Sequence, residues 1–167
     1  MLLVSYCKLG LNCKYNGGSN AHLPDADFLK NLFFKGLVIG VCPEVFGGLT
    51  TPRDPSEIKH GCGFDVIEGR AGVFSNKGAD VTRNFLAGAQ MCADIAEKYG
   101  VRAAVLKECS PSCGVLNVYD GSFTGTKIKG PGVLGAMLVK RFGPSFKLFG
   151  DLDKNDESFL LNLFDKR

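Results

Sequence analysis

The chain has 167 residues, 45% of them hydrophobic and 22% charged, with a net charge of +3. That composition fits one globular domain with a real core and argues against a disordered chain, and so small a charge argues against a nucleic-acid or membrane-surface partner. No apolar run approaches the roughly 20 residues of a membrane-spanning helix, and the start, Met1 to Cys7, lacks the basic flank of a signal peptide, so the expected compartment is the reducing cytoplasm.

Taken in order, residues 2–5 read as a first strand, followed by a loop over 6–22 rich in Gly and Asn. A helix over 24–35 comes next. Pro24 suits its first turn, Asp25 and Asp27 its positive end and Gly36 its stop, and Phe28, Leu29, Leu32 and Phe33 repeat at helical spacing. Residues 37–41 are a continuous apolar run of strand length, consistent with burial on both faces. A long polar loop covers 42–61, and 64–75 reads as a small hairpin around Glu68-Gly69.

The longest helix spans 81–99, with Asp80 as N-cap, Gly100 as stop, and Val81, Phe85, Ala89, Cys92, Ala96 and Tyr99 on one stripe. Residues 102–106 form a third core strand, and Asp120-Gly121 marks a turn. Pro131 opens a helix over 132–141, and 146–149 reads as a last strand. This order predicts a three-layer α/β/α sandwich with a mainly parallel sheet, Rossmann- or flavodoxin-like. Residues 1–150 make that domain. Residues 151–167 form a C-terminal extension, a short helix carrying Phe159, Leu160, Leu161, Leu163 and Phe164.

Three of the predicted strands deliver a cysteine at the same end: Cys7, Cys42, and Cys113 on the loop Glu108-Cys109-Ser110-Pro111-Ser112-Cys113-Gly114. Proline and glycine force that loop to turn, and ligands in open α/β sheets bind at the carboxyl ends of strands. Seven cysteines, an odd number, in a reducing compartment favour metal or redox chemistry over a disulfide framework. Thiolates from Cys7, Cys42 and Cys113 suit an iron–sulfur cluster, and three ligands leave one iron open for substrate. The competing readings are buried thiols acting as small hydrophobes and a zinc-stabilised structural domain. The zinc reading has only His22 and His60 as nitrogen ligands and no Cys-x-x-Cys pair. A cluster- or thiol-based sensor without turnover is a further alternative.

Gly130-Pro131-Gly132-Val133-Leu134-Gly135 matches the dinucleotide fingerprint, yet no acidic residue follows at the required distance, so it reads as a tight turn into the last helix. Cys92 reads as core, and Cys62 as a loop residue without a role. The plain reading of Glu44 is a salt bridge to Arg53, and that of Ser110 a loop cap.

Five stretches together resemble one family: Val4-Ser5-Tyr6-Cys7 with Leu9-Gly10; Cys13-Lys14-Tyr15-Asn16-Gly17; Cys42-Pro43-Glu44 with Gly47-Gly48-Leu49 and Thr51-Pro52-Arg53; Leu106-Lys107-Glu108 with Ser110 to Gly114; and Tyr119-Asp120-Gly121 with Phe123 and Gly125-Thr126. The chain resembles the thiouracil desulfidase (TudS) domain family over residues 2–149. The resemblance implies an oxygen-sensitive 4Fe-4S cluster held by three cysteines. It also implies non-redox removal of sulfur from a small thiolated base, giving uracil and sulfide from thiouracil. Carried over by motif, Cys42 and Cys113 are cluster ligands and Cys7 the third, with Cys13 the competitor for that place. Glu44 and Ser110 are the catalytic pair. In those roles Glu44 activates water or moves protons, and Ser110 relays a proton or holds the tetrahedral intermediate. Asn16 stands where the family commonly has aspartate, which keeps the turn and removes a charge.

Overall fold

A computed structural model describes residues 1–165 of the chain. In chain order the elements are β1 (Leu2–Ser5), a 3-10 turn (Tyr6–Leu9), α1 (Ala26–Phe34), β2 (Val38–Val41), α2 (Pro43–Phe46), β3 (Ser56–Lys59), α3 (Gly63–Ile67), β4 (Gly72–Ser75), α4 (Thr82–Lys98), β5 (Ala103–Val105), β6 (Asn117–Tyr119), β7 (Lys127–Lys129), α5 (Val133–Phe142), β8 (Lys147–Phe149) and α6 (Lys154–Asp165). None of these helices is long and apolar enough to cross a membrane.

The four strands read from the sequence form one parallel sheet in the order β2-β1-β5-β8. β1 is central, with Leu2 level with both Val38 and Ala103. Side chains alternate across it as the period of two requires. Leu2, Val4, Val38, Ala103 and Val105 face one core with Leu29 and Leu32 of α1. Leu3, Val41 and Ala104 face the other with Phe85, Ala89, Cys92, Ala93 and Ala96 of α4 and Leu134 and Leu138 of α5. Helices therefore cover both faces, and the sandwich is the α/β/α arrangement expected. Cys92 is core. Leu160 and Phe164 of α6 join the α1 side; the last two positions of the extension lie outside the described residues.

Three local expectations give way. The hairpin over 64–75 does not exist. Residues 63–67 are α3, begun by the Asp65 carboxylate accepting the Cys62 N–H at 2.9 Å, and β4 pairs instead with β3, from Ser56↔Ser75 to Lys59↔Gly72. So short an apolar run does not tell strand from helix, and the capping carboxylate decided it. The polar loop 42–61 holds α2 and β3. Asp25 is the N-cap residue of α1, but its carboxylate makes no cap hydrogen bond; it turns inward and is buried against Lys8.

Candidate active site

The carboxyl ends of β1, β2 and β5 open on one cavity of about 410 Å³, within the range of small-molecule sites. Cys7, Cys13, Cys42, Cys109 and Cys113 line it, with Glu44, Arg53, Lys107, Ser110, Ser112 and the rings of Tyr6, Tyr15 and Tyr119. The sequence-predicted residues Cys7, Cys42, Cys113, Glu44 and Ser110 are thus brought together, and Cys13 with them. His22 and His60 are exposed on loops and do not line the cavity. Among the described residues no three Cys, His, Asp or Glu are spaced to hold a single metal ion, so the zinc reading finds no ligand set.

Each thiol has its own support. Cys7 sits in the turn directly after β1, where Asn20 ties it twice: its N–H reaches the Cys7 carbonyl at 2.8 Å and its Nδ2 donates to Cys7 Sγ at 3.1 Å. Cys42 ends β2 and precedes α2, with Pro43 in the first turn. Cys113 lies on the loop after β5. That loop reverses at Cys109, a non-glycine residue at φ +58°. Further along, Glu108 collects the N–H groups of Val115 and Asn117, each at 2.8 Å, and that of Leu116 at 3.2 Å. The Gly130 to Gly135 stretch packs on and bonds to this loop. The α5 N–H groups of Val133 and Leu134 donate to the carbonyls of Pro111 and Ser112, and Gly132 N–H to that of Gly114. A Cβ at Gly132 would stand 2.7 Å from the Pro111 and Ser110 oxygens.

Cys13 lies between Cys7 and Cys42 and hydrogen-bonds both sulfurs. That bond is the main force holding the Cys7 thiol down at about 7, against burial and helped by Asn20 and the charges of Lys107 and Lys8. It lowers Cys42 as well. Cys13 is pushed up by those same two bonds and by burial. Burial likewise pushes up Cys113, against hydrogen bonds from Ser5 and Ser112.

Glu44 forms the salt bridge to Arg53 that its plain reading anticipates, and the bridge keeps it in the cavity wall. Arg53 is itself anchored on the Thr50 carbonyl at 3.1 Å, Thr51 Oγ1 at 3.2 Å and the Cys13 carbonyl at 3.0 Å. The other Glu44 oxygen accepts from Ser112 Oγ at 2.8 Å. Ser112, Asn20 and Arg53's strap to Cys13 were invisible as site features in the sequence; only the neighbourhood of Ser112 to Cys113 hinted at the first. Asn16 keeps its turn, accepting from Gly18 N–H at 3.1 Å.

Comparison with known proteins gives the family. Residues 2–147 match the family described as 2-thiouracil desulfurase. The chain belongs to that family. The uncharacterized protein YbbK of Bacillus subtilis (strain 168) is 38% identical over 156 residues, covering 93% of this chain and 99% of YbbK. A solved structure titled [4Fe-4S]-dependent thiouracil desulfidase TudS superposes with a TM-score of 0.81 at 34% identity, covering 97% of each chain. Fold and family expectation thus agree along nearly the whole of this family member.

Proposed function

We propose that this chain is a desulfidase that replaces the sulfur of a thiouracil-type base with oxygen, using a 4Fe-4S cluster held by Cys7, Cys42 and Cys113. The reaction balances without redox change: thiocarbonyl plus water gives carbonyl plus hydrogen sulfide. The observation that carries the reading is the convergence of those three thiols, each from a different strand end, on the cavity that also holds Glu44 and Ser110.

The residues fit such a group. Cys7, Cys42 and Cys113 all line the one cavity and would supply the soft thiolate donors that an iron–sulfur group takes. Cys7 is supported as the third ligand by its place directly after β1, beside Cys42 directly after β2. When bound, a cluster with three cysteine ligands supplies an iron free to act as Lewis acid toward the substrate sulfur.

The chain's own groups do the rest. The Tyr15 and Tyr119 rings offer flat apolar walls to a planar base. Glu44, fixed by Arg53 and Ser112, takes a proton from the attacking water. Ser110 Oγ, which accepts two backbone N–H groups at 3.3 Å, holds or delivers a proton at the reacting carbon's new oxygen. Such free thiols keep their chemistry in a reducing cytoplasm, and a small molecule is the partner the cavity suits.

The test is anaerobic reconstitution with iron and sulfide, followed by thiouracil. Release of sulfide with uracil is expected. A chain that loads the cluster and binds thiouracil but releases no sulfide is a sensor, and the proposal is wrong.

A further inference from the structure

One buried hydroxyl joins the two members of the catalytic pair. Ser112 is 2% exposed. Its Oγ donates to Glu44 Oε1 at 2.8 Å and lies 2.9 Å from Ser110 Oγ. An ionised carboxylate only accepts, so the single Ser112 proton is committed to Glu44. Cys113 Sγ is also within reach of Ser112 Oγ, at 3.7 Å, but the nearer, charged acceptor takes the proton. Ser110 is then the donor of the Ser110–Ser112 pair. Ser110 Oγ in turn accepts the backbone N–H groups of Ser112 and Cys113, each at 3.3 Å. Two N–H dipoles therefore point at the oxygen that would lose its proton, and Arg53 occupies Glu44 Oε2, leaving Oε1 to receive one.

We propose that Ser112 is a positioning residue that relays a proton between Ser110 and Glu44 during desulfidation; the inference rests on the activity proposed above. As the attacking water gives a proton to Ser110 Oγ, the Ser110 O–H bond breaks and its proton passes to Ser112 Oγ. The Ser112 O–H bond breaks in the same motion and that proton joins Glu44 Oε1, so Glu44 takes the water's proton through the two hydroxyls. The two backbone N–H groups stabilise charge that builds on Ser110 Oγ during the transfer. The reverse transfer returns the proton through Ser110 to the reacting group and resets the hydroxyls, and no co-reactant is consumed. A merely structural serine at this place would need neither the carboxylate beside it nor the direction of bonding.

The test uses cluster-loaded enzyme in single turnovers with thiouracil. In the wild type the rate falls in heavy water, and its plot against deuterium fraction curves, as two protons in flight require. Ser112→Ala lowers the rate by about a hundredfold or more, leaves KM within about threefold, retains iron and acid-labile sulfide, and straightens the plot. Ser112→Thr, which restores a hydroxyl, brings back most of the rate. A straight wild-type plot, or a Ser112→Ala rate within about threefold of wild type, overturns the relay. If Ser112→Ala fails to hold the cluster, the wild-type plot decides. Wild-type holoenzyme that releases no sulfide sinks the desulfidase reading instead.

Discussion

At Glu44 two partners divide one carboxylate: Arg53 holds Oε2 and Ser112 holds Oε1, so its position is set from two different loops. Glu44→Gln keeps the shape and most of the hydrogen bonding and removes the basicity. Iron content is expected to stay at the wild-type level while kcat for sulfide release falls by about a hundredfold or more. Normal turnover in that variant would remove Glu44 from the mechanism.

The four thiols divide in the same way. Cys7→Ser, Cys42→Ser and Cys113→Ser are each expected to lose the iron and its visible absorbance after anaerobic reconstitution. Cys13→Ser, which replaces the hydrogen-bond donor between Cys7 and Cys42 with another, is expected to retain it. Iron retained in Cys7→Ser and lost in Cys13→Ser would exchange their roles. Sequence position named this group of residues but not the division of labour, because a hydrogen bond between sulfurs leaves no trace in spacing.

At the scale of elements, the site is held by close backbone approaches. α2, which begins one residue after Cys42, lies directly on α4. A Cβ at Gly88 would stand 1.7 Å from the Pro43 carbonyl oxygen, and one at Gly47 would stand 2.0 Å from that of Asn84. Asn84 Nδ2 also donates to the Gly47 carbonyl at 2.8 Å. The long helix therefore positions Cys42 and Glu44 through a glycine on its own face. Gly88→Ala forces α2 outward and is expected to cost about 1–3 kcal/mol in urea unfolding, with a loss of turnover larger than any loss of iron from the three-cysteine set. An unchanged urea midpoint would mean that α2 gives way freely. The apolar stripe of α4 was legible from its period, since Phe85, Ala89, Cys92 and Ala96 repeat as a helix must. The missed α3 and the misplaced hairpin show the opposite case: a five-residue helix has too few periods to declare itself, and β3 and β4 pair across it.

For the molecule as a whole, Lys8 links the site to the chain's far end. It is fully buried beside Cys7, with Nζ 2.7 Å from Asp25 and 2.9 Å from Asp151, and the Leu152 N–H donates to the same Asp25 oxygen at 3.1 Å. Removing one member of a buried pair leaves the other charge uncompensated. Lys8→Met is expected to destabilise the fold by about 3–5 kcal/mol at neutral pH, almost all from Asp25, because Asp151 is half exposed.

Burial raises the Asp151 carboxyl, but the Lys8 hydrogen bond and charge outweigh it and hold it below the usual carboxylate range. A carboxyl lowered by folding stabilises above its unfolded pKa, and that stability is lost as pH falls through the folded value. The difference between wild type and Lys8→Met should therefore narrow as pH drops below the ordinary carboxylate range. A difference independent of pH would show that the Lys8–Asp151 bridge adds nothing to stability.

The sequence by itself determined the sheet and its two covered faces, because continuous apolar runs of strand length separated by amphipathic helices have few other ways to bury themselves. It also determined which cysteines end strands, since a chain leaving a parallel sheet must do so at the same edge each time. The tertiary structure alone decided which oxygen faces which proton at Ser110, Ser112 and Glu44, and that Lys8 meets Asp25 and Asp151 in the interior. Those are contacts of a few ångströms between residues as far as 143 positions apart, and no local pattern encodes a distance that only the packed backbone brings into being.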